Sequence, residues 1–375
     1  MVHYTITVSS GINVKECFKS FLEKDSTIRN IFGKCDNIIL KPNFVMPRKS
    51  AVTNFELIEE FCKLSQTYGV KLEIIECPGM EFDSSSIRRF FPLNRLSTKY
   101  GVKINLNPKF TKLNIKGKFL KKIFVVNDVL DKPWINLFKI KTHLITTVSL
   151  GAKNIMGLLR YDTRRKMHIK GVNRCLSDIV ALLRPTYSVG EAFPAMDGDG
   201  PTFGRLRPLN MLLGSCNLKE LDYFITKEIM KINPSKIEYL ADMTNYCDKA
   251  VGKKDIFVKI SPFKEPSTSK TYLAFYNLMY LFDILFFPLS SRHFNEFLYS
   301  IEFFGTKPDI VNKTGIEKIN SKICKFGAIN PEKLKINYRQ CVFCMECVDN
   351  YPEIFRIVTT KERLKRLLKM GKLVM

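Results

Sequence analysis

Four cysteines near the C-terminus are spaced like residues that hold a metal centre. Cys341, Cys344 and Cys347 follow one another at two-residue gaps, and Cys324 lies upstream of them. Close spacing lets one loop supply three thiolate ligands to an iron–sulfur cubane, and a fourth thiolate completes the set. The sequence therefore predicts one [4Fe–4S] cluster bound by these four cysteines. A Cys₄ zinc site is one alternative, although zinc ribbons use paired cysteine knuckles, and four unligated thiols are the other.

The segment that begins at Cys341 resembles the second cysteine run of a two-cluster bacterial ferredoxin. It fits C-x₂-C-x₂-C-x₃-C-P except that Tyr351 replaces the fourth cysteine. In such ferredoxins the fourth cysteine of each run binds the other cluster. Cys324 and the following Lys-Phe-Gly-Ala-Ile resemble the end of the first run, with Lys325 in place of Pro, and the earlier cysteines of that run are absent. The missing cysteines would all have served one cluster, and the four retained ones would serve the other.

Basic residues after the apolar stretch 134–138 are predicted to form an anion-binding pocket. Lys139, Lys141 and His143 would emerge at the carboxyl end of this strand, where open α/β sheets bind ligands. They alternate along the chain and would share one face. Neighbouring positive charges lower the pKa of Lys and His, which suits proton transfer. A solvated basic loop is the alternative.

A second group of basic residues surrounds His168. Lys153 and Asn154 precede it, and Asp162 is the only acid between residues 151 and 170. The flanking basic residues are Arg160, Arg164, Arg165, Lys166 and Lys170. This density of positive charge predicts phosphate or carboxylate binding, and a mobile basic loop is the alternative.

A glycine-rich turn with two carboxylates occupies residues 197–204. Asp197 and Asp199 alternate with glycines, and the turn lacks the lysine of a Walker motif. Glycines would allow the backbone to approach a ligand closely, and the carboxylates, with Glu191, are candidate bases or metal ligands. A plain tight turn is the alternative.

These motifs assign roles to named residues. The predicted catalytic residues are Lys141, His143, Lys153, His168 and Asp197. The predicted substrate-binding residues are Lys41, Asn43, Lys139, Asn154 and Asp199.

Strand-like and helix-like stretches alternate through residues 1–250 and predict an α/β domain on a mixed or mostly parallel sheet. Strands are predicted at 1–10, 37–40, 70–76, 123–126, 134–138 and 145–148, and helices at 54–68 and 173–183. An aromatic-rich linker or helical segment is predicted at 251–311. Residues 312–375 are predicted to form a small ferredoxin-like α+β domain that ends in a short basic amphipathic helix at 361–372.

Residues 271–289 are almost wholly apolar and aromatic. This length nearly reaches the ~20 residues that span a bilayer. Asp283 would need a partner inside a membrane. We therefore expect a buried helix, with a helix on a membrane surface as the second interpretation and a spanning helix as the third.

The polar motifs of residues 1–250 together resemble the family catalogued as domain of unknown function 362. The matching stretches are Leu40-Lys-Pro-Asn-Phe44, Ile135-Asn-Leu-Phe-Lys-Ile-Lys-Thr-His143, Thr147-Val-Ser-Leu-Gly-Ala-Lys-Asn154, Gly157, His168, Asp178 and Ala195-Met-Asp-Gly-Asp-Gly-Pro-Thr-Phe-Gly204. Members often carry a ferredoxin-type tail, so the resemblance implies an iron–sulfur protein with an enzymatic pocket. Asp197 departs from the family pattern, which more often has Glu. A fainter likeness to the nickel-pincer lactate racemase fold would have Lys153 and His168 hold an organometallic nickel cofactor.

The strongly basic composition indicates which kinds of partner the protein would bind. The chain has 375 residues and a formal net charge of +24, which favours anionic partners. The first function considered is an iron–sulfur redox enzyme with an anionic small-molecule substrate and a protein electron donor or acceptor. The second is a non-catalytic electron carrier or assembly protein that contacts a membrane through residues 271–289. The third, a nucleic-acid binder, is the weakest because no binding module is recognisable.

The cellular location is expected to be the cytoplasm, with membrane association as an addition. No export signal is recognised, and the cysteines outside the tail are isolated in the sequence. Isolated cysteines favour free thiols and a reducing compartment.

Overall fold

Two compact units make up the part of the chain that the structure, a computed structural model, describes. The described residues are 6–79, 84–201, 204–241, 260–267, 307–312, 323–330, 335–338, 340–341 and 344–358. The first unit contains those within 6–45, 50–79 and 92–267, and the second contains 46–49, 84–91 and those from 307 onward. The segments 271–289 and 361–372 lie outside these ranges, so their predicted helices stay predictions.

Strands and helices alternate along the described chain. The strands are β1 (Thr7–Ser10), β2 (Asn37–Lys41), β3 (Lys71–Ile75), β4 (Lys103–Asn105), β5 (Phe110–Asn114), β6 (Lys122–Val126), β7 (Trp134–His143), β8 (Thr147–Ser149), β9 (Tyr187–Asp197), β10 (Arg205–Arg207), β11 (Met211–Ser215), β12 (Lys307–Ile310), β13 (Ile329–Asn330), β14 (Lys335–Ile336) and β15 (Phe355–Val358). The helices are α1 (Val14–Lys24), α2 (Thr27–Lys34), α3 (Phe55–Tyr68), α4 (Ser84–Phe90), α5 (Leu93–Tyr100), α6 (Gly151–Asn154), α7 (Tyr161–Lys170), α8 (Val172–Leu182), α9 (Leu218–Phe224) and α10 (Glu346–Asn350). No helix within the described ranges is long and apolar enough to cross a bilayer.

A nine-stranded sheet, counted over the described residues, forms the centre of the first unit. Its order is β1-β11-β9-β7-β2-β3-β4, with β8 beside β7 and β10 beside β9. The neighbours from β4 to β9 are parallel, and β11 is antiparallel to β9. The predicted α/β fold with a mostly parallel sheet is therefore confirmed.

The direction of winding reverses between β2 and β7. From β2 the chain adds β3 toward one edge of the sheet, and from β7 it adds β9 toward the opposite edge. In open α/β sheets, ligands bind in the crevice outside the carboxyl ends of the strands at such a reversal. We therefore expect a ligand site near Lys41, at the end of β2, and His143, at the end of β7.

Burial on both faces explains the apolar sequences of the central strands. Every residue of β7 from Trp134 to Thr142 is buried, and Ile38, Ile39 and Leu40 of β2 are buried as well. Strands that are covered by helices on both faces have continuous apolar sequences. Helix α3 begins after the cap residue Asn54 and ends at Gly69, which adopts a φ of 67°.

Two sequence-based predictions about basic segments are wrong. Lys139, Lys141 and His143 lie within β7 and do not follow its end. A central strand can include lysines because each ammonium group here meets buried acceptors. Residues 161–170 form helix α7 with a largely buried face, so the mobile-loop interpretation of this segment also fails.

The second unit joins distant segments of the chain around a small apolar core. β12 pairs with β15, and β13 pairs with β14. Cys347, Ile354 and Phe355 form the buried core. The Lys325 ammonium donates to the Phe90 carbonyl at 3.0 Å, which links α4 to the tail. A ferredoxin-like fold for this unit stays a prediction.

Candidate functional site

A buried ion pair lies at the carboxyl end of β2. The Lys41 Nζ is 2.6 Å from Oε2 of Glu76, and it also donates to the Pro42 carbonyl at 2.7 Å and to Oδ1 of Asn154 at 3.2 Å. The Lys41 side chain is 0% exposed, and each of its three ammonium protons has a protein acceptor. Burial lowers the pKa of Lys41 and raises that of Glu76, and their mutual attraction opposes both shifts.

Two asparagines connect this ion pair to β7. Oδ1 of Asn154 accepts from Lys41 and from Nδ2 of Asn43, the latter at 2.9 Å. Oδ1 of Asn43 accepts from the ammonium of Lys141 at 3.3 Å. Lys41, Asn43 and Asn154 were assigned to substrate binding by sequence, and the structure does bring them together. Because their polar atoms bond one another, we place them as supports of the site.

Gly157 is required by the ion pair. A Cβ atom at this position would lie 1.8 Å from Oε1 of Glu76 and 2.8 Å from Cε of Lys41. Contacts this short would force the buried side chains apart. The carbonyl of Gly157 also accepts from the backbone N–H of Cys77 at 2.9 Å, which fixes the segment after β3.

Five basic side chains converge beside this network, and we call them the cationic cluster. They are Lys141, His143, Lys153, Arg164 and His168. Lys141 and His143 lie on β7 and Lys153 lies on α6, whereas Arg164 and His168 are four residues apart on one face of α7. Positive charge on Lys153 acts on Lys141, His143 and His168, and charge on Arg164 acts on Lys153 and His168. Four of the five predicted catalytic residues are therefore neighbours, and Arg164 joins them.

Burial, reinforced by repulsion between the positive charges, lowers the pKa values in the cationic cluster. The pKa of Lys153 falls to about 8 and that of His168 to about 3, and the pKa values of Lys141 and His143 lie well below their ordinary range. Both imidazoles are therefore neutral at pH 7. Nδ1 of His143 accepts from the backbone N–H of Ile145 at 3.1 Å, which assigns the proton of its neutral ring to Nε2.

Carboxylates do not neutralise the cationic cluster. Among the described residues, Lys141, Lys153 and Arg164 form no salt bridge, and the Lys153 ammonium makes no hydrogen bond. Nη1 of Arg164 donates to the carbonyls of Cys77 and Pro78 at 3.3 and 2.7 Å, whereas its Nε, in a residue 5% exposed, has no partner in the described structure. An uncompensated buried charge costs several kcal/mol, so this arrangement favours an anionic ligand.

Replacing Lys153 by Met is expected to stabilise the ligand-free protein at neutral pH. The folded pKa of about 8 lies below the ordinary 10.5. The stability contributed by the neutral amine is thus fully present above pH 10.5 and is lost as the pH falls through 8. The free energy of unfolding of the wild type should therefore rise between pH 8 and 10.5. This rise should be smaller in Lys153→Met. We expect Tm at pH 7 to rise by roughly 2–4 °C, measured by scanning calorimetry.

Lys166→Met is the matched control for this substitution. Lys166 lies on α7 next to the cationic cluster in sequence, but its side chain is exposed. The control should keep the wild-type pH dependence. Equal behaviour of the two variants would contradict the role given to Lys153.

Lys139 lies away from the cationic cluster in a second buried ion pair. Its Nζ is 2.6 Å from Oε1 of Glu191, and both side chains are fully buried. It also donates to the carbonyls of Phe193 and Pro194 at 3.3 and 3.0 Å. All three ammonium protons thus have acceptors, and the predicted contact of Lys139 with substrate stays a prediction.

The two aspartates of the glycine-rich turn also have protein partners. Asp197 accepts from Arg205 and Arg207 at 3.0–3.1 Å, which, against the opposing effect of burial, lowers its pKa. Asp199 accepts from the backbone N–H and the hydroxyl of Ser267 at 2.6 and 2.7 Å. In the described residues neither carboxylate contacts the cationic cluster, and their predicted catalytic and binding roles stay predictions.

Asp222, on α9, is a buried residue that sequence analysis missed. Its carboxylate accepts from the backbone N–H groups of Gly151 and Ala152 at 2.9 and 2.8 Å and from the Tyr239 hydroxyl at 3.0 Å. These bonds fix the first turn of α6, which carries Lys153. Burial raises the pKa of Asp222 to about 7. No local motif marks this residue, because the fold supplies all of its partners.

The four predicted ligand cysteines line one pocket in the second unit. Cys324, Cys341, Cys344 and Cys347 share it with the apolar side chains of Ile323, Ile329 and Ile336. Burial raises the pKa of Cys344 to about 12 and raises that of Cys347 as well, and the neighbouring cysteines add to both shifts. The fold therefore brings the distant Cys324 to the other three, and we call this the cysteine pocket.

The chemistry of the cysteine pocket fits an iron–sulfur cluster. It offers four thiols and an apolar lining, and the backbone N–H of Ala328 donates to Sγ of Cys324 at 3.4 Å. The raised pKa values keep Cys344 and Cys347 protonated until a metal centre displaces the protons. Within the described ranges, no three His, Cys, Asp or Glu side chains are arranged to hold a metal ion. The sulfurs thus share a pocket without forming a ready-made coordination shell.

A buried arginine holds the helix that carries Cys347. Arg48 donates from Nε and Nη2 to the carboxylate of Asp349 on α10 at 3.2 and 2.6 Å. The adjacent Lys49 pairs with Glu346 of the same helix at 2.6 Å. The Arg48 side chain is 3% exposed and that of Lys49 is 68% exposed. Only the first pair is therefore shielded from water.

Substitution of Arg48 by Ala is expected to loosen the cysteine pocket. Loss of a shielded, bidentate pair should cost about 2–4 kcal/mol, whereas Lys49→Ala should cost less than about 1 kcal/mol. The readout is the rate at which a thiol reagent labels the cysteines of the pocket in each variant, with faster labelling expected for Arg48→Ala. Equal rates for the two variants would show that Arg48 does not support the pocket.

The fold and these two sites define an α/β protein with a cluster of basic side chains at the sheet reversal and a cysteine-lined pocket in the second unit. Residues 38–227 match the family described as domain of unknown function (DUF362), and the chain belongs to this family. The matched range contains the whole cationic cluster and ends before the cysteine pocket. The predicted resemblance is confirmed for the family, whereas the ferredoxin-type tail is not part of the match.

Known proteins that are similar to this chain include one from Synechocystis sp. and one from Thermotoga maritima. The thylakoid-associated protein sll1697 of Synechocystis sp. is 25% identical over 240 residues, which cover 60% of this chain and 72% of that protein. A crystal structure of a protein from Thermotoga maritima is similar with 13% identity and a TM-score of 0.36. That alignment covers 54% of this chain and 56% of the Thermotoga chain, so little more than half of that protein is matched.

Proposed function

We propose that this protein is an iron–sulfur redox enzyme. It binds one [4Fe–4S] cluster at the cysteine pocket and a small anionic substrate at the cationic cluster. The proposal is supported chiefly by one observation: four cysteines, one of them distant in sequence, line a single pocket. Cys324 lies 17 residues before Cys341 in sequence, yet it lines the same pocket.

Each residue of the cysteine pocket has a defined part in this proposal. Cys324, Cys341, Cys344 and Cys347 would hold the cluster, which exchanges single electrons when bound. The N–H donated by Ala328 would stabilise negative charge on the Cys324 sulfur, and hydrogen bonds to cluster sulfurs are one determinant of reduction potential. The apolar side chains around the pocket would limit the access of water.

The cationic cluster supplies binding and proton transfer. Lys141 and Arg164 would bind substrate charge in a site largely shielded from water, where electrostatic attraction is strong. A pKa of about 8 allows Lys153 to act as an acid or a base near neutral pH. The neutral His143 presents an Nε2–H group and would donate a hydrogen bond to the bound anion.

The test is a reduction experiment on anaerobically purified protein. The protein should be brown, should lose visible absorbance when dithionite is added, and should develop an EPR signal. Oxidation of the reduced cluster by a substrate should slow in Lys153→Ala and remain normal in Lys166→Ala. Colourless protein that gives no EPR signal would contradict the redox proposal.

A membrane-associated electron carrier is the second candidate. One observation favours it, namely that the similar Synechocystis protein is described as thylakoid-associated. The carrier interpretation predicts that full-length protein floats with anionic vesicles, and that Lys153→Ala leaves electron exchange with a protein partner unchanged. Absence from the vesicle fraction would remove the membrane part of this candidate.

A further inference from the structure

We propose that the cationic cluster binds the doubly charged phosphate group of a small molecule. This inference deepens the anion-binding role proposed above and rests on it. It names the class of substrate, which neither the family description nor the similar proteins specify. Three features of the site support it: the count of uncompensated charges, the supply of hydrogen-bond donors, and the burial of the donor residues.

The charges in the cationic cluster match a dianion better than a single carboxylate. Lys141, Lys153 and Arg164 form no salt bridge among the described residues, whereas the neighbouring Lys41 is neutralised by Glu76. Arg164 and protonated Lys153 together carry two positive charges, and a carboxylate would offset only one of them. A phosphate monoester carries about −1.5 to −2 charges at neutral pH and would offset two.

The available donors also match a phosphate group. The Lys153 ammonium and Nε of Arg164 lack hydrogen-bond acceptors among the described residues, and the neutral His143 offers Nε2–H. These groups are supplied by three different elements, α6, α7 and β7. A phosphate presents three strong acceptor oxygens, whereas a carboxylate presents two in one plane.

Because the hydrogen-bond donors are largely buried, the site favours a small molecule over a polymer as its ligand. Arg164 and His168 are both buried, and Lys153 is half-buried. The guanidinium of Arg164 is held by the carbonyls of Cys77 and Pro78 and cannot swing out without breaking those bonds. Phosphates of a nucleic-acid duplex stay on its outer surface and require exposed partners. A small phosphate ester can reach His143 and Lys153, whose side chains are partly exposed.

The experiment measures anion binding to the anaerobically purified full-length protein by calorimetry. The probes are inorganic phosphate, malonate and acetate at one ionic strength set with chloride. We expect phosphate to bind more tightly than malonate, and acetate to bind weakest. Lys153→Met and Arg164→Gln should each weaken phosphate binding about tenfold or more, because each removes a charged hydrogen-bond donor. Lys166→Met should bind phosphate within about twofold of the wild type.

Each outcome bears on the inference. Tighter binding of malonate than of phosphate would overturn the phosphate assignment and leave the anion site intact. No binding of any anion would overturn both, while the iron content of the same samples reports on the cysteine pocket independently. Equal losses of phosphate affinity in Lys153→Met and Lys166→Met would show that phosphate responds only to the net charge of the surface. That result would overturn the proposed site. Lys153→Arg, which keeps the charge, should retain most of the affinity and guards against misfolded variants.

Discussion

Substitution of Cys324 by Ser is expected to abolish cluster binding in a protein that still folds. Cys324 lies in the cysteine pocket with the three closely spaced cysteines, and a cubane of the ferredoxin type is held by four cysteines. A serine hydroxyl has a far higher pKa than a thiol and seldom ligates iron in such clusters. Bound iron should fall from about four atoms per chain to less than one. Iron analysis and visible absorbance of anaerobically purified protein provide the measurement.

Cys35→Ser is the matched control for Cys324→Ser. Cys35 is a free, half-buried cysteine like Cys324, but it caps the end of α2 in the first unit. Its replacement should leave iron and colour at the wild-type level. A full complement of iron in Cys324→Ser would show that the fourth ligand is a different residue. Circular dichroism of both variants should match the wild type, which separates loss of the cluster from loss of the fold.

The second large effect is expected on stability, from Glu76→Gln. The substitution leaves the Lys41 ammonium, 0% exposed, without its carboxylate and close to the positive charge of Arg164. Removing one partner of a buried ion pair typically costs about 3–5 kcal/mol. Urea unfolding at pH 7 measures the loss. The double variant Lys41→Met/Glu76→Leu should recover part of it, because no buried charge is left unpaired.

Glu73→Gln provides the comparison for this stability change. Glu73 lies on the same strand, β3, and pairs at 2.9 Å with Lys103, whose side chain is 71% exposed. An ion pair this exposed contributes less than about 1 kcal/mol. If Glu76→Gln and Glu73→Gln unfold at the same urea concentration, Lys41 is already neutral in the folded protein.

Local patterns predicted the elements that position the cationic cluster. The apolar run of β2 and the helix between Asn54 and Gly69 lie close to where the sequence placed them. Lys141 and His143 were predicted to lie at a ligand-binding edge because open α/β sheets bind ligands at the carboxyl ends of their strands. This inference needs only the order of strands and helices, which hydrophobic periodicity supplies.

Partners fixed by strand register could not be predicted. Lys139 of β7 lies opposite Glu191 of β9, and this pairing explains how β7 continues through a lysine that sequence analysis placed beyond its end. Asp222 and Glu76 likewise find their partners across long stretches of chain. The glycine at position 200 was assigned to a close ligand contact, but its Cβ would instead meet the carbonyl of Thr142 at 2.3 Å.

The metal and sulfide content of the wild-type protein tests the central claim most directly. Anaerobically purified protein should contain about four iron atoms and four acid-labile sulfides per chain, with little zinc. One zinc per chain without sulfide would identify the cysteine pocket as a structural zinc site and contradict the redox function.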